Sequence, residues 1–269
     1  MTKPSFQDYG TYDESAHPDL WDGVVGYWAP CLGPTGTRLH DVSRYNNWGT
    51  LTNMDPPTDW VIDGGQYALD FDGSNDTVTV PNATALNPET GLTLAAWMYV
   101  TGSGFRQIFA KASGTSSNQR QYGLYVTQQN TLGFETRTTS AIVDLNYGTV
   151  TLNTWSLMIG TWSASRGMEW WINGASVANL NNAGTIIEQT AGLSIGQFPG
   201  GFSTFSGMLD NLGIWNRALT ANEIRRLYNL GRGGMLERRR RRRVYSVQAD
   251  VVRSYLFVNR GQVIGGGTL

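Results

Sequence analysis

The chain has 269 residues, 40% of them hydrophobic, with 33 glycines, ten tryptophans and a formal net charge of −1. Cys31 is the only cysteine, so an intrachain disulfide is excluded and the fold must rest on packing. His17 and His40 are the only histidines, too few and too scattered for a histidine-based metal site or a hydrolytic triad.

The first 23 residues carry Phe6, Tyr9, Tyr12 and Trp21 among Asp8, Asp13, Glu14, Asp19 and Asp22, with no sustained period, and read as an extended arm. The opening Met-Thr-Lys-Pro-Ser-Phe has no apolar core of the kind a secretory signal requires, and no run approaches transmembrane length. Val24 to Ala29 reads as the first strand. A loop follows with Pro30, Gly33, Pro34 and Gly36, and then Asp41 to Thr52, rich in Asn and Asp as turns are. Cys31 in that loop reads as a small buried apolar residue. Strands are predicted at Tyr67 to Phe71 and Thr77 to Val80 around an Asp-Gly-Ser-Asn-Asp turn, then at Leu92 to Val100, Gln107 to Lys111, Gln121 to Thr127, Leu132 to Thr136 and Ala141 to Leu145. Trp155 to Trp162, Met168 to Ile172, Val177 and Leu193 to Ile195 continue the series, and Asn173-Gly174 is a two-residue hairpin signal.

From Phe205 the chain alternates, with Met208, Asp210, Leu212 and Ile214 on one side and Leu209, Asn211, Gly213 and Trp215 on the other. This places the Asp210 carboxylate among apolar neighbours, where it needs a partner. A helix follows, with Thr220 as N-cap, Glu223 closing a capping box, Leu219 and Ile224 as a hydrophobic staple, and Gly231 as the stop. Some 13 or 14 short strands with one late helix predict a two-sheet antiparallel jelly-roll sandwich.

Charge is divided unevenly along the chain. Through Gly231 there are 11 Lys and Arg against 19 Asp and Glu, a net of −8; from Arg232 there are 9 Arg against 2 acids, a net of +7. Arg238, Arg239, Arg240, Arg241, Arg242 and Arg243 form an unbroken run that must be solvated or matched to an acidic surface. Tyr255 to Ile264 then reads as two strands around a glycine turn; a lone hairpin is marginal, so Tyr255 and Phe257 are expected to dock. The expected organisation is an arm over 1–23, a jelly roll over 24–231 and a basic extension over 232–269.

The segment Phe205-Ser-Gly-Met-Leu-Asp-Asn-Leu-Gly-Ile-Trp-Asn-Arg-Ala-Leu-Thr, with its helix, resembles the last core strand and closing helix of laminin-G-like jelly rolls of the concanavalin A-like lectin and glucanase superfamily. Ala68 to Pro81, Leu92 to Val100, Trp155 to Trp162, Trp170 to Gly174 and Leu193 to Gly196 agree in the expected order, so the resemblance spans roughly Val24 to Gly231. Asp41 to Thr52 is similar to the family's Asp-x-Ser-Gly-x-x-x-x-Gly loop, with Arg44 in place of the glycine and Trp48 where histidine is common. If there is a cofactor, the resemblance implies calcium, held through Asp210 of a Gly-x-x-Asp strand and backbone carbonyls; Asp70, Asp72 and Asp76 lie in a second acidic loop, with Asp70 and Asp72 on one strand face. Oxygen-only ligands suit such a hard cation. From the residues alone, Asp210 is equally well satisfied by backbone N–H groups or an arginine, and the Asp70 to Asp76 cluster by turn formation.

Retaining glucanases of the superfamily need two carboxylates on one strand face. None of the seven glutamates has an acid two residues away, and no catalytic pair or enzyme activity is expected. Glycan binding would use loop aromatics, for which Trp48, Trp60, Tyr45 and Phe105 are the candidates. The arginine run lacks interleaved aromatics and adjoins an acidic domain, which argues against a sequence-specific nucleic-acid reader. The leading expectation is a non-enzymatic structural protein on the surface of a phage-like particle, its arms anchoring it to other subunits of an oligomer or capsid shell. A free carbohydrate-binding module recognising cell-surface glycan is the alternative, and no membrane insertion is expected in either.

Overall fold

In a computed structural model the described residues are 16–116, 119–140, 142–181 and 184–236. The arginine run Arg238 to Arg243, the hairpin with Tyr255 and Phe257, and the aromatics Phe6, Tyr9 and Tyr12 lie outside them. A short helix α1 (Pro18–Trp21) precedes strands β1 (Val24–Trp28), β2 (Arg38–Leu39) and β3 (Gly49–Thr52). After helix α2 (Pro56–Asp59) come β4 (Trp60–Asp63), β5 (Gln66–Asp72), β6 (Thr77–Val80), β7 (Gly91–Val100), β8 (Arg106–Ala112) and β9 (Arg120–Val126). Then follow β10 (Leu132–Arg137), β11 (Ile142–Tyr147), β12 (Trp155–Ser163), β13 (Gly167–Ile172), β14 (Ala175–Leu180), β15 (Leu193–Ile195), β16 (Ser206–Trp215) and helix α3 (Ala221–Leu230).

The strands form two antiparallel sheets of eight, the expected jelly-roll sandwich. Sheet A runs β14-β13-β12-β7-β16-β5-β4, with β1 also paired to β16; sheet B runs β11-β10-β9-β8-β15-β6-β3-β2. Between them lies one core containing Trp28, Phe71, Phe109, Phe134, Trp162 and Trp170. Strands β2, β3 and β4 are too short or too polar to show a period, which is why the sequence predicts fewer strands than the described residues contain.

The alternation expected along β16 is broken at its centre. Asp210 to Gly213 shifts register against β7, and Asn211 turns left-handed at φ +47°. This bulge falls where β5, paired to Ser206–Leu209, gives way to β1, paired to Leu212–Trp215, on the same side of β16. One extra residue shifts the phase, so Leu209, Leu212 and Ile214 all enter the core between the sheets. Asp210, paired with Trp97, is instead turned to the outer face of sheet A.

That outer face is covered. Ala95, Trp97, Leu157, Ile159, Trp171 and Trp215 pack under Leu20 and Trp21 of α1, Ile224 and Leu227 of α3, and Met235 and Leu236. The capping box of Thr220 and Glu223 is formed, and Leu219 and Ile224 are buried in one cluster, as the staple requires. Arg226 on α3 donates to both Asp19 oxygens at 2.7 and 2.6 Å, and Trp215 Nε1 donates to the Leu20 carbonyl at 2.7 Å. The sandwich therefore takes in residues beyond the expected limits of 24 and 231 at both ends. Among the described residues this cluster covers sheet A and does not include the outer face of sheet B.

Candidate functional site: a groove across sheet B

Alternate residues of β8, β9, β10 and β11 that avoid the core meet on the outer face of sheet B. Glu135 on β10 is directly opposite Asp144 on β11 and Gly123 on β9. Arg120, at the start of β9, reaches across to Glu135 at 2.9 Å and Asp144 at 3.3 Å, and its guanidinium lies 5.1 Å from the Phe198 ring centroid. The Tyr125 hydroxyl donates to the other Asp144 oxygen.

Two glycines make this arrangement possible. A Cβ on Gly133 would stand 2.2 Å from the Tyr125 ring, which lies across that position, and a Cβ on Gly123 would stand 2.8 Å from Glu135 Oε1. Aromatic walls complete the groove. Phe105 tilts against Tyr125 with centroids 6.2 Å apart. Phe198 and Phe202 close a tight loop through Pro199-Gly200-Gly201, with the Phe198 N–H donating to the Phe202 carbonyl at 2.9 Å. The Ser203 carbonyl holds this loop against β8 by accepting from the Gln107 N–H at 2.9 Å. The resulting cleft encloses about 280 Å³ and is lined by Phe105, Tyr125, Phe198 and Phe202 around Gln107, Arg120, Glu135 and Asp144.

Burial dominates the electrostatics. Glu135 is 2% exposed, and desolvation, reinforced by repulsion from Asp144 and opposed by Arg120, pushes its carboxyl up to about 7. The Tyr125 hydroxyl is raised as well, by burial and then by Asp144. One guanidinium thus pairs with both carboxylates. The open surface of the groove is that of Phe105, 45% exposed, and Phe202, 58% exposed, beside the Asp144 carboxylate, while Tyr125, Phe198, Gln107 and Glu135 lie buried beneath. Open aromatic faces beside a carboxylate can hold a sugar ring by stacking and by hydrogen bonds to its hydroxyls.

Of the four aromatics nominated from sequence, Phe105 lies in this groove. Trp48, 39% exposed, and Tyr45 belong to the Asp41 loop near β2 and β3. Trp60 does not lie in a loop: it opens β4, is 7% exposed and packs into the core between the sheets, so it offers no face to a ligand. The Asp41 loop is held from within, since Asp41 accepts from the N–H groups of Tyr27, Ser43 and Asn47 at 2.7 to 2.8 Å.

Two of the aspartates nominated for calcium, Asp210 and Asp72, make other contacts. Asp210 is fully buried; one oxygen accepts from the Cys31 and Asn211 N–H groups at 3.0 and 2.8 Å, and the other from Arg232 Nε at 3.2 Å. Arg232 also pairs with Asp63 at 3.3 Å and stacks 3.8 Å from the Trp155 ring centroid. A cation at Asp210 would meet this guanidinium, so the residues do not fit calcium there. Cys31 is half-buried beside Asp210 rather than fully enclosed, and burial, then Asp210, raises its thiol. Asp72 accepts from the Ser74 N–H at 2.7 Å, and Asp76 accepts from the Asp72 N–H at 2.8 Å, closing a turn. Asp70 is raised by burial, then by Asp59. Among the described residues no three Asp, Glu, His or Cys side chains are gathered to hold a metal.

Glu135, Asp144, Arg120, Tyr125, Phe198 and Phe202 escape a reading of the sequence, because their partners lie on neighbouring strands. The available signal is the unfilled phase of two strands, Gly123 before Tyr125 and Gly133 before Glu135, together with the Phe-Pro-Gly-Gly-Phe turn.

Solved structures with this architecture include the binding domain of Paraclostridial Mosquitocidal Protein 1, at 16% identity and TM-score 0.59, covering 78% of this chain and 52% of that one. A botulinum neurotoxin type C structure, concerned with cell entry through two ganglioside molecules, matches at 13% identity and TM-score 0.52 over 79% and 52%. Trypanosoma rangeli sialidase with 2,3-difluorosialic acid matches at 17% identity and TM-score 0.56 over 77% and 33%. The chain thus spans about a third to a half of these neighbours, and at such identity they speak to fold alone. No curated protein matches the chain. The model of a laminin G family described as the concanavalin A-like lectin/glucanases superfamily matches residues 72–225, more than half of the sequence. On that match, together with the two-sheet architecture, the chain belongs to the concanavalin A-like lectin/glucanases superfamily.

Proposed function

We propose that this chain is a non-catalytic carbohydrate-binding module that holds a glycan in the groove across sheet B. The observation that carries the reading is the pair of exposed rings, Phe105 and Phe202, beside the buried Glu135 and the part-exposed Arg120 and Asp144. That no glutamate has an acid two residues away speaks for binding over the strand-face hydrolysis of the superfamily's glucanases. The fold neighbours lend support as a class: two are toxin structures, a binding domain and a neurotoxin concerned with gangliosides, and the third is a sialidase. The partner assigned is a cell-surface glycan.

A glycan array probed with the wild-type chain and with Phe105→Ala/Phe202→Ala tests this. Hits that disappear in the variant, with thermal unfolding unchanged, are expected. Undiminished hits in the variant would move the site elsewhere, and an array without hits would overturn the reading.

A second reading sets the module on the surface of a phage-like particle, with its ends joined to other subunits. What favours it is the charge division, −8 through Gly231 and +7 beyond. Light scattering on the full chain beside a chain ending at Glu237 checks it: assembly that depends on the basic segment and weakens with salt is expected, and monomers throughout would remove this reading.

A further inference from the structure

A second groove of about 360 Å³ lies on sheet B at the end formed by β2, β3 and β6, lined by Arg38, Asn46, Trp48, Thr50 and Asn82 among others. Its chemistry is the reverse of the first. Among the described residues Arg38 is the charged group in its lining, with no carboxylate there, whereas the β8–β11 groove holds two carboxylates against one arginine.

The walls are fixed before any ligand arrives. The Trp48 ring is parallel to the His40 imidazole, 9° apart with centroids 4.5 Å apart, and the Arg38 guanidinium carbon is 5.5 Å from the indole centroid. Trp48 nevertheless keeps 39% of its surface exposed, an aromatic face whose orientation is already set. Gly49, next to it, has no room for a side chain, since a Cβ would stand 2.3 Å from Val78, so strand β3 holds the Trp48 backbone close against β6. Across the groove, Asn82 Oδ1 accepts from the buried Lys111 ammonium at 2.6 Å, and Lys111 also donates to the Ala191 carbonyl at 2.5 Å. With its oxygen taken by Lys111, the Asn82 amide is oriented to offer its NH₂ as a donor. A rigid indole face, a guanidinium and an oriented amide donor suit a ring that stacks and carries an anionic acceptor. A planar carboxylate is the group that the arginine fork matches best. Pre-set walls lower the ordering cost of capture.

We propose that this groove is a second carbohydrate subsite, specific for a sugar bearing a carboxylate, in which Trp48 stacks on the ring and Arg38 with Asn82 receives the acid group. This goes beyond the groove assigned above and stands without it.

Nuclear magnetic resonance titration of the wild-type full chain with sialyllactose and, separately, with lactose tests the proposal without relying on a variant's folding. Shifts at the Trp48 indole N–H and the Asn82 amide with sialyllactose, weaker with lactose by about tenfold as loss of a charge-assisted contact implies, are expected. Arg38→Gln should weaken sialyllactose by a similar factor while leaving lactose unaffected, and added salt should act in the same direction. Equal response to both sugars, or no shift at Trp48 and Asn82, would overturn the proposal. Phe202→Ala separates the two grooves: the sialyllactose response should survive it. Its loss would assign the acidic sugar to the β8–β11 groove and leave the Trp48 subsite refuted.

Discussion

Arg232 Nε donates to Asp210 at 3.2 Å, joining the residue just past α3 to the bulge at the centre of sheet A. The carboxylate is fully buried and the arginine side chain nearly so, at 11% exposure. Burial raises the Asp210 carboxyl, and Arg232 followed by the Cys31 and Asn211 N–H groups act to lower it. Replacing Arg232 with methionine strands the charge, and a loss of about 3 to 5 kcal/mol is expected, as when one partner of a buried pair is removed. Combining Arg232→Met with Asp210→Asn should recover most of that loss, because the stranded charge is gone. Chemical unfolding of the three variants checks this; equal losses in the single and double variants would show that Arg232 acts through its packing on Trp155 instead.

The same guanidinium stands where a cation at Asp210 would have to sit. Thermal unfolding of the full chain should therefore be the same with millimolar calcium and with chelator, since a ligand raises stability only by binding the folded state. A calcium-dependent rise in melting temperature that survives Asp210→Asn would locate a site elsewhere; one abolished by it would mean that Arg232 yields its place.

How far these relationships could be read in advance depends on whether they are local in the chain. The capping box of Thr220 and Glu223 is three residues long and entirely legible. So are the long strands β7, β12 and β16, where apolar residues mark the core, and the Asn173-Gly174 turn with both residues at positive φ. The bulge at Asn211 is not, because it arises from β1 and β5 meeting beside β16, and its effect is to reverse the facing of Asp210 relative to Leu212. Trp60 and Trp48 look alike in sequence, each beside turn residues, yet one enters the core and the other remains open. The groove of Glu135 and Asp144 is a cross-strand pair, and a search for acids two residues apart on one strand passes over it.

Gly133 offers a sharp test of that groove. The Tyr125 ring occupies the space above it, so Gly133→Ala drives a methyl group to 2.2 Å from the ring and forces it to move. Overpacking of this kind typically costs about 1 to 3 kcal/mol, and the displaced ring also leaves Asp144 without its hydroxyl partner. Lower stability together with loss of glycan binding is the expected outcome, read by unfolding and by the array. Retained binding at lower stability would show that the Tyr125 face does not contribute to recognition.

Glu135 should also leave a mark on the pH dependence of stability. Its carboxyl titrates near 4.5 in the unfolded chain and at about 7 in the folded one, with burial first and Asp144 second as causes. Below pH 4.5 both states hold the proton and the native stabilisation is fully present. Between these values the folded state keeps a proton that the unfolded state releases, so stability falls as pH rises through the interval; above 7 the buried carboxylate rests on Arg120 alone. The shift corresponds to a loss on the order of 3 kcal/mol from weakly acidic to neutral pH. Asp210, Asp70 and Asp76 are raised too, from 3.8, and contribute with the same sign, so the comparison must be made against a variant. Glu135→Gln cannot titrate, and its melting temperature should lack the part of the slope between pH 4.5 and 7 that belongs to this carboxyl. If wild type and variant instead run parallel across that interval, Glu135 is ionised in the folded state throughout, and Arg120 then outweighs the burial that surrounds it.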